Sequence, residues 1–121
     1  MWIHGAQLAT ARKAGLEPQE CSYRDSLSYE KRAVRAERIF LMRHEPSPRI
    51  SGWHLGEYGA KVAPASPDEL AVAYTYQFAR LRPAVMKLLL LPTGTGAIIT
   101  GDEVTEVIGP DQKVRIQGPS A

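Results

Sequence analysis

Two histidines and a carboxylate lie close together in this chain, in Arg43-His44-Glu45 and Trp53-His54. Such a set suits acid–base work or a divalent metal, because imidazole titrates near neutrality and both groups ligate cations. The intervening residues argue against both. His44-Glu45 is followed by Pro46-Ser47-Pro48, so the two-turn HExxH helix of a metalloprotease is absent. A small hydrolase using His44, Glu45 and His54 is the weakest reading. Gly94-Thr95-Gly96 lacks the Lys-Ser/Thr ending of a phosphate loop. It also precedes a strand pattern, whereas a dinucleotide fingerprint runs strand, turn, helix. Ser51-Gly52 does not form a GxSxG elbow. Cys21 is the only cysteine, which excludes an internal disulfide and a cysteine metal cage. The expectation is no catalytic residue, no metal and no cofactor.

Two binding features remain. If Ser28–Glu37 is a helix capped by Ser28, then Lys31, Arg35 and Arg38 fall at helical spacing and make a basic stripe. That stripe supports the alternative reading, a small nucleic-acid-binding or regulatory module. No aromatic side chains interleave with it for base stacking. The second feature is Trp53 with Tyr58, bordered by Arg43, Arg49 and Glu57. Large amphipathic aromatics beside arginine are the usual composition of an interface hot spot. A tryptophan on a short strand also packs readily into a core.

The elements that position these residues can be read from the pattern. Ala6–Ala14 is rich in helix formers, with Gly15 as its stop and Pro18 enforcing the break. Ile39–Met42 is apolar on both strand faces and flanked by charge, which suits a central strand. Ser51–Tyr58 reads as a second strand, with Trp53 and Leu55 on one face and His54 on the other. Lys61–Glu69 is a Pro-punctuated loop. Leu70–Tyr76 favours strand, with a helix starting at Pro67 as the competitor. Phe78, Leu81, Val85, Leu88 and Leu89 share a helical face, and Pro83 belongs in the first turn of the helix. Ala97–Thr100 and Glu103–Ile108 form a hairpin around Gly101-Asp102, and Val114 and Ile116 continue the meander after a turn. The fold class is α+β: a mostly antiparallel sheet with one or two helices packed on one face.

The chain has 121 residues, 44% apolar and 23% charged, with a net charge of +2. These values describe an ordinary globular chain and a single domain over 1–121, with its core at about 5–117 and a frayed tail at 118–121. The charge is too balanced to point to nucleic acid. The N-terminus lacks the basic-then-apolar order of a signal peptide, and Leu88–Leu91 is far too short to span a bilayer. A cytoplasmic location without membrane contact is expected; homodimerisation is compatible with the sequence.

The order of motifs is more specific than any one of them. A helix ending in "RKAGLEP" precedes "ERIFLMRHEPSP", which leads into "SGWHLGEYG". Then come "LAVAYTY", "LRPAVMKLLLLPTGTGAIIT" and "GDEVTEVI". This order, over roughly residues 12 to 108, resembles bacterial immunity proteins of the immunity-protein-thirty-three type. Ser51-Gly52-Trp53 is the sharpest point, and Glu57, Arg82-Pro83, Leu91-Pro92, Gly94 and Glu103 are consistent with it. The resemblance implies a non-enzymatic antitoxin of interbacterial competition that binds and neutralises a cognate toxin domain. On that reading the partner-binding candidates are Arg43, Glu45, Trp53, Glu57 and Tyr58, with Asp102 and Glu103 on the hairpin turn.

Overall fold

The computed structural model describes residues 9–19, 21–22, 24–58 and 70–117. The Pro-punctuated segment Lys61–Glu69, His4 and the tail at 118–121 lie outside them. Helix α1 covers residues 9–14 and stops at Gly15, whose φ of 68° is the left-handed conformation that ends many helices. Seven strands follow: β1 Ser26–Glu30, β2 Arg38–Arg43, β3 Ile50–Glu57, β4 Leu70–Tyr74, β5 Gly96–Thr100, β6 Glu103–Ile108 and β7 Val114–Gln117. They form one sheet in the order β4-β1-β3-β2-β5-β6-β7. Every pairing is antiparallel except β1 with β3. The sheet and the few short helices give the expected α+β class.

One sheet face carries the core. Leu27, Ile39, Leu41, Trp53, Leu55, Ala97, Ile99, Val104 and Val107 are buried there. Ala11 and Ala14 of α1 join the same cluster, as do Phe78, Val85, Leu88, Leu89 and Leu91 from the segment after β4. Strand periodicity sends the alternate residues of each strand to the other face. That face holds Ser28, Phe40, Met42 and His54, all half-buried.

Two helix expectations are corrected. Ser28–Glu37 is not a helix. Ser26–Glu30 is β1, paired on both sides, and only Lys31–Arg35 coils, as a 3-10 turn. Two sheet ladders and the burial of Leu27 outweigh the helical propensity of Ala, Lys, Arg and Glu in Ser28–Glu37, which amounts to only ~0–0.7 kcal/mol per residue. The basic stripe is lost with the helix: Arg38 lies in β2, and at three residues per turn Lys31 and Arg35 point in different directions.

The segment around Pro83 also differs. A single α-turn, α2 Phe78–Leu81, ends at Arg82, and Pro83–Leu88 is a 3-10 turn. Leu81 is exposed rather than on a shared apolar face. Proline disfavours helical backbone at the residue before it, and Arg82 has φ −153° and ψ 84°. The extended Arg82 turns its side chain into the protein.

Candidate partner-binding surface

The residues of the sequence signature form the frame of the molecule. Arg43, at the end of β2, is buried. Its Nε donates to the Ser51 carbonyl at 2.9 Å. Its Nη1 donates to the carbonyls of Leu89 at 3.0 Å and Leu91 at 2.9 Å, which follow the Pro83–Leu88 turn. A helix end presents unsatisfied carbonyls and a negative dipole, so a guanidinium fork suits it. Arg82 repeats the device. It reaches the carbonyls of Val34, Ala36 and Glu37 behind the Lys31–Arg35 turn, and Gly101 in the β5–β6 turn.

Each member of Ser51-Gly52-Trp53 has a place in this frame. The Ser51 hydroxyl accepts from the Trp53 backbone N–H at 3.1 Å. Gly52 has φ 91°. The Trp53 indole is buried, donates to the Leu89 carbonyl at 3.2 Å and lies 5.9 Å from the Arg43 guanidinium. Arg43 and Trp53 therefore present no surface to a partner; they act by holding β2, β3 and the Leu88–Leu91 run together. Tryptophan at this position fills the core and uses its single N–H within it.

The five other candidates are exposed, and the fold sorts them. Glu45 lies past the far end of β2. Glu57, Tyr58, Asp102 and Glu103 gather at the opposite end of the sheet, where β3 ends, β2 begins and the β5–β6 hairpin turns. The Tyr58 N–H donates to the Arg38 carbonyl at 3.1 Å, and the Gly101 N–H to the Glu37 carbonyl at 2.8 Å. The Arg38 guanidinium sits 6.0 Å from the centre of the Tyr58 ring, at the outer limit for a cation–π contact. Arg32 links Glu57 at 3.6 Å and Glu30 at 3.9 Å; exposed pairs of this kind contribute roughly 0–1 kcal/mol each. The Arg82 fork lies beneath, fixing Glu37 and Gly101 and hence the approach of hairpin to strand. Sequence reasoning missed Arg82 as the organiser of this end. The signal was an arginine immediately before a proline. It also assigned Arg38 to a helical stripe, whereas Arg38 packs beside Tyr58.

Of the His44, Glu45 and His54 side chains, only that of His54 is hydrogen-bonded within the sheet among the described residues. His54 Nδ1 and the Ser28 hydroxyl are hydrogen-bonded at 2.7 Å across β3 and β1. Desolvation lowers the His54 pKa from its ordinary 6.5, Glu30 opposes this and His44 adds to it. Among the described residues no group of three or more His, Cys, Asp or Glu side chains could hold a metal ion. Burial raises the Cys21 thiol to about 11, against the opposing effect of Arg43. It is then a poor nucleophile at neutral pH.

The His54 shift has a pH consequence. Because its folded pKa is depressed, the unfolded chain binds the proton first as pH falls below about 6.5. Stability is unaffected by His54 above that pH, declines below it and levels once the folded pKa is passed. Urea midpoints measured at pH 7.5 and 5.5 should drop less for His54→Gln than for the unmodified chain. Equal drops would remove His54 as a contributor.

No described helix is long and apolar enough to cross a membrane. Neither the curated proteins nor the solved structures contain a significant match. A family model described as the Imm33-like domain matches residues 6–109. That span contains the arginine-ended strand, the Ser-Gly-Trp start of β3, the Arg82-Pro83 break and the β5–β6 hairpin. The chain belongs to the Imm33-like domain family.

Proposed function

We propose that this protein is an immunity protein that binds a cognate bacterial toxin domain and blocks it by protein–protein contact. Family membership over residues 6–109 is the observation that carries this reading. The chemistry of the surface is compatible with it. Tyr58 is 44% exposed beside Arg38, and Glu57, Asp102 and Glu103 are exposed at the same end of the sheet. An exposed aromatic with arginine inside a charged rim is the composition of a hot spot. A specific complex would bury about 800 Å² on each partner. Glu45, at the other end of the sheet, would belong to a separate contact or to none.

The test is co-expression with the toxin domain encoded beside this gene. The unmodified protein should protect cells and co-purify with the toxin. Tyr58→Ala should weaken the complex by about 30-fold, the ~2 kcal/mol of a hot-spot residue, with an unchanged urea midpoint. Reversing charge at Asp102 and Glu103 should reduce the association rate and its salt dependence. Failure of the unmodified protein both to protect and to co-purify would sink the proposal.

A further inference from the structure

The two edges of the sheet are built differently. At the β7 edge the strand carries Arg115 and follows Lys113, and the Asp111 carboxylate binds Arg115 Nη2 at 2.6 Å and the Lys113 N–H at 3.1 Å. Its pairing with β6 is also irregular between Val107 and Ile108. Charge and broken register are the usual protections against edge-to-edge association. The β4 edge has neither. Leu70-Ala71-Val72-Ala73-Tyr74 contains no charge and no proline, and it pairs with β1 through five consecutive residues without a shift. Leu70, Val72 and Tyr74 are exposed by 42%, 70% and 52%. Among the described residues no strand pairs with the outer side of β4.

The hydrogen-bond parity of β4 can be read from its end. The Thr75 N–H donates inward to the Asp25 carbonyl at 2.8 Å, whereas the Tyr74 N–H donates to its own Gln77 side chain at 2.9 Å. In an antiparallel ladder successive residues alternate sides. Ala71 and Ala73 therefore bond to β1, and Leu70 and Val72 direct their N–H and C=O groups outward. Large and small residues mirror each other about Val72.

We propose that β4 pairs with β4 of a second copy of this chain, antiparallel about a two-fold axis at Val72, so that one sheet runs through both. Val72 then faces Val72 of the second copy, and Leu70 faces Tyr74, an aliphatic–aromatic cross-strand pair. The interface is isologous, as a two-fold requires. Electrostatics permit it, because an uncharged strand meets itself without like-charge repulsion. Four backbone bonds can form freely: the reciprocal Val72 pair, and Leu70 N–H to the Tyr74 carbonyl in each direction. The Tyr74 N–H remains with Gln77. A five-residue edge buries less than a standard interface, so the dimer is weak and concentration-dependent.

Analytical ultracentrifugation of the protein alone tests this, so a negative result leaves toxin binding untouched. The mass should rise from monomer toward dimer between roughly 1 µM and roughly 300 µM, the regime of small interfaces. Val72→Lys and Val72→Glu, at an exposed position, should each stay monomeric with unchanged circular dichroism. Mixed together they should associate, because the axis sets Lys against Glu. A monomer at every concentration would overturn the proposal. So would a dimer that survives Val72→Lys, or a mixture that fails to associate while the unmodified chain dimerises. A chain that stays monomeric and loses toxin co-purification on Val72→Lys would assign this edge to the toxin instead.

Discussion

Arg43→Met should lower the unfolding free energy by about 3–5 kcal/mol, because several buried carbonyls lose a charged donor at once and each unsatisfied buried acceptor costs roughly 1–3 kcal/mol. Methionine approximates the volume of the arginine stem, so packing changes little. The loss is the donor set. The carbonyls of Ser51, Leu89 and Leu91 would each be left with a buried lone pair, apart from the bond that the Trp53 indole keeps to Leu89. For a chain of this size the drop corresponds to a fall in Tm on the order of 10–20 °C. Arg43→Lys should recover only part of it, because an ammonium cannot fork to carbonyls on two different segments. The coupling with Trp53 can be measured, since both donate to the Leu89 carbonyl. In a double-mutant cycle Arg43→Met and Trp53→Phe should be non-additive. Additive effects, or a Tm loss of only a few degrees for Arg43→Met, would mean that the guanidinium does not hold the Leu88–Leu91 run to the sheet.

Gly52→Ala should be comparably damaging, at roughly 3 kcal/mol or more from backbone strain and overpacking together. A Cβ built on Gly52 would lie 2.1 Å from the His44 carbonyl oxygen and 3.0 Å from its carbon, both backbone atoms that cannot swing away. The φ of 91° adds strain for any L side chain. The His44 N–H donates to the Gly52 carbonyl at 2.7 Å, so relieving the clash would pull the end of β2 off β3. The distortion would reach Ser51 and Trp53 directly. Chemical denaturation and near-UV circular dichroism of the tryptophan environment would register it. A stable Gly52→Ala variant with an unchanged tryptophan signal would show that this close approach is dispensable.

Much of the fold was legible in the residues. The run Ile39–Met42, the alternation around Trp53, and the Gly101-Asp102 hairpin all report local physics, because strand period and turn chemistry act over a few positions. Ser28–Glu37 was misread for the complementary reason. Its alanines and charged residues are good helix formers, and only the presence of β3 and β4 on either side of Ser26–Glu30 makes strand the better state there. Leu81 was misassigned because apolar spacing was read across Arg82-Pro83, where proline forces the preceding residue out of the helix.

The candidate surface divides the same way. By itself the sequence determined the family through the order of its motifs, and it marked Arg43, Trp53, Glu57, Tyr58, Asp102 and Glu103 as the residues to locate. Only the tertiary structure decided which of them face inward. Arg43 and Trp53 are buried because the Leu89 and Leu91 carbonyls, far along the chain, need donors. Glu57, Tyr58, Asp102 and Glu103 meet at one end because β2 lies between β3 and β5. Glu45 is separated from them by the length of a strand. Burial and proximity are properties of long-range pairing, and no local pattern of residue types encodes which strand becomes whose neighbour.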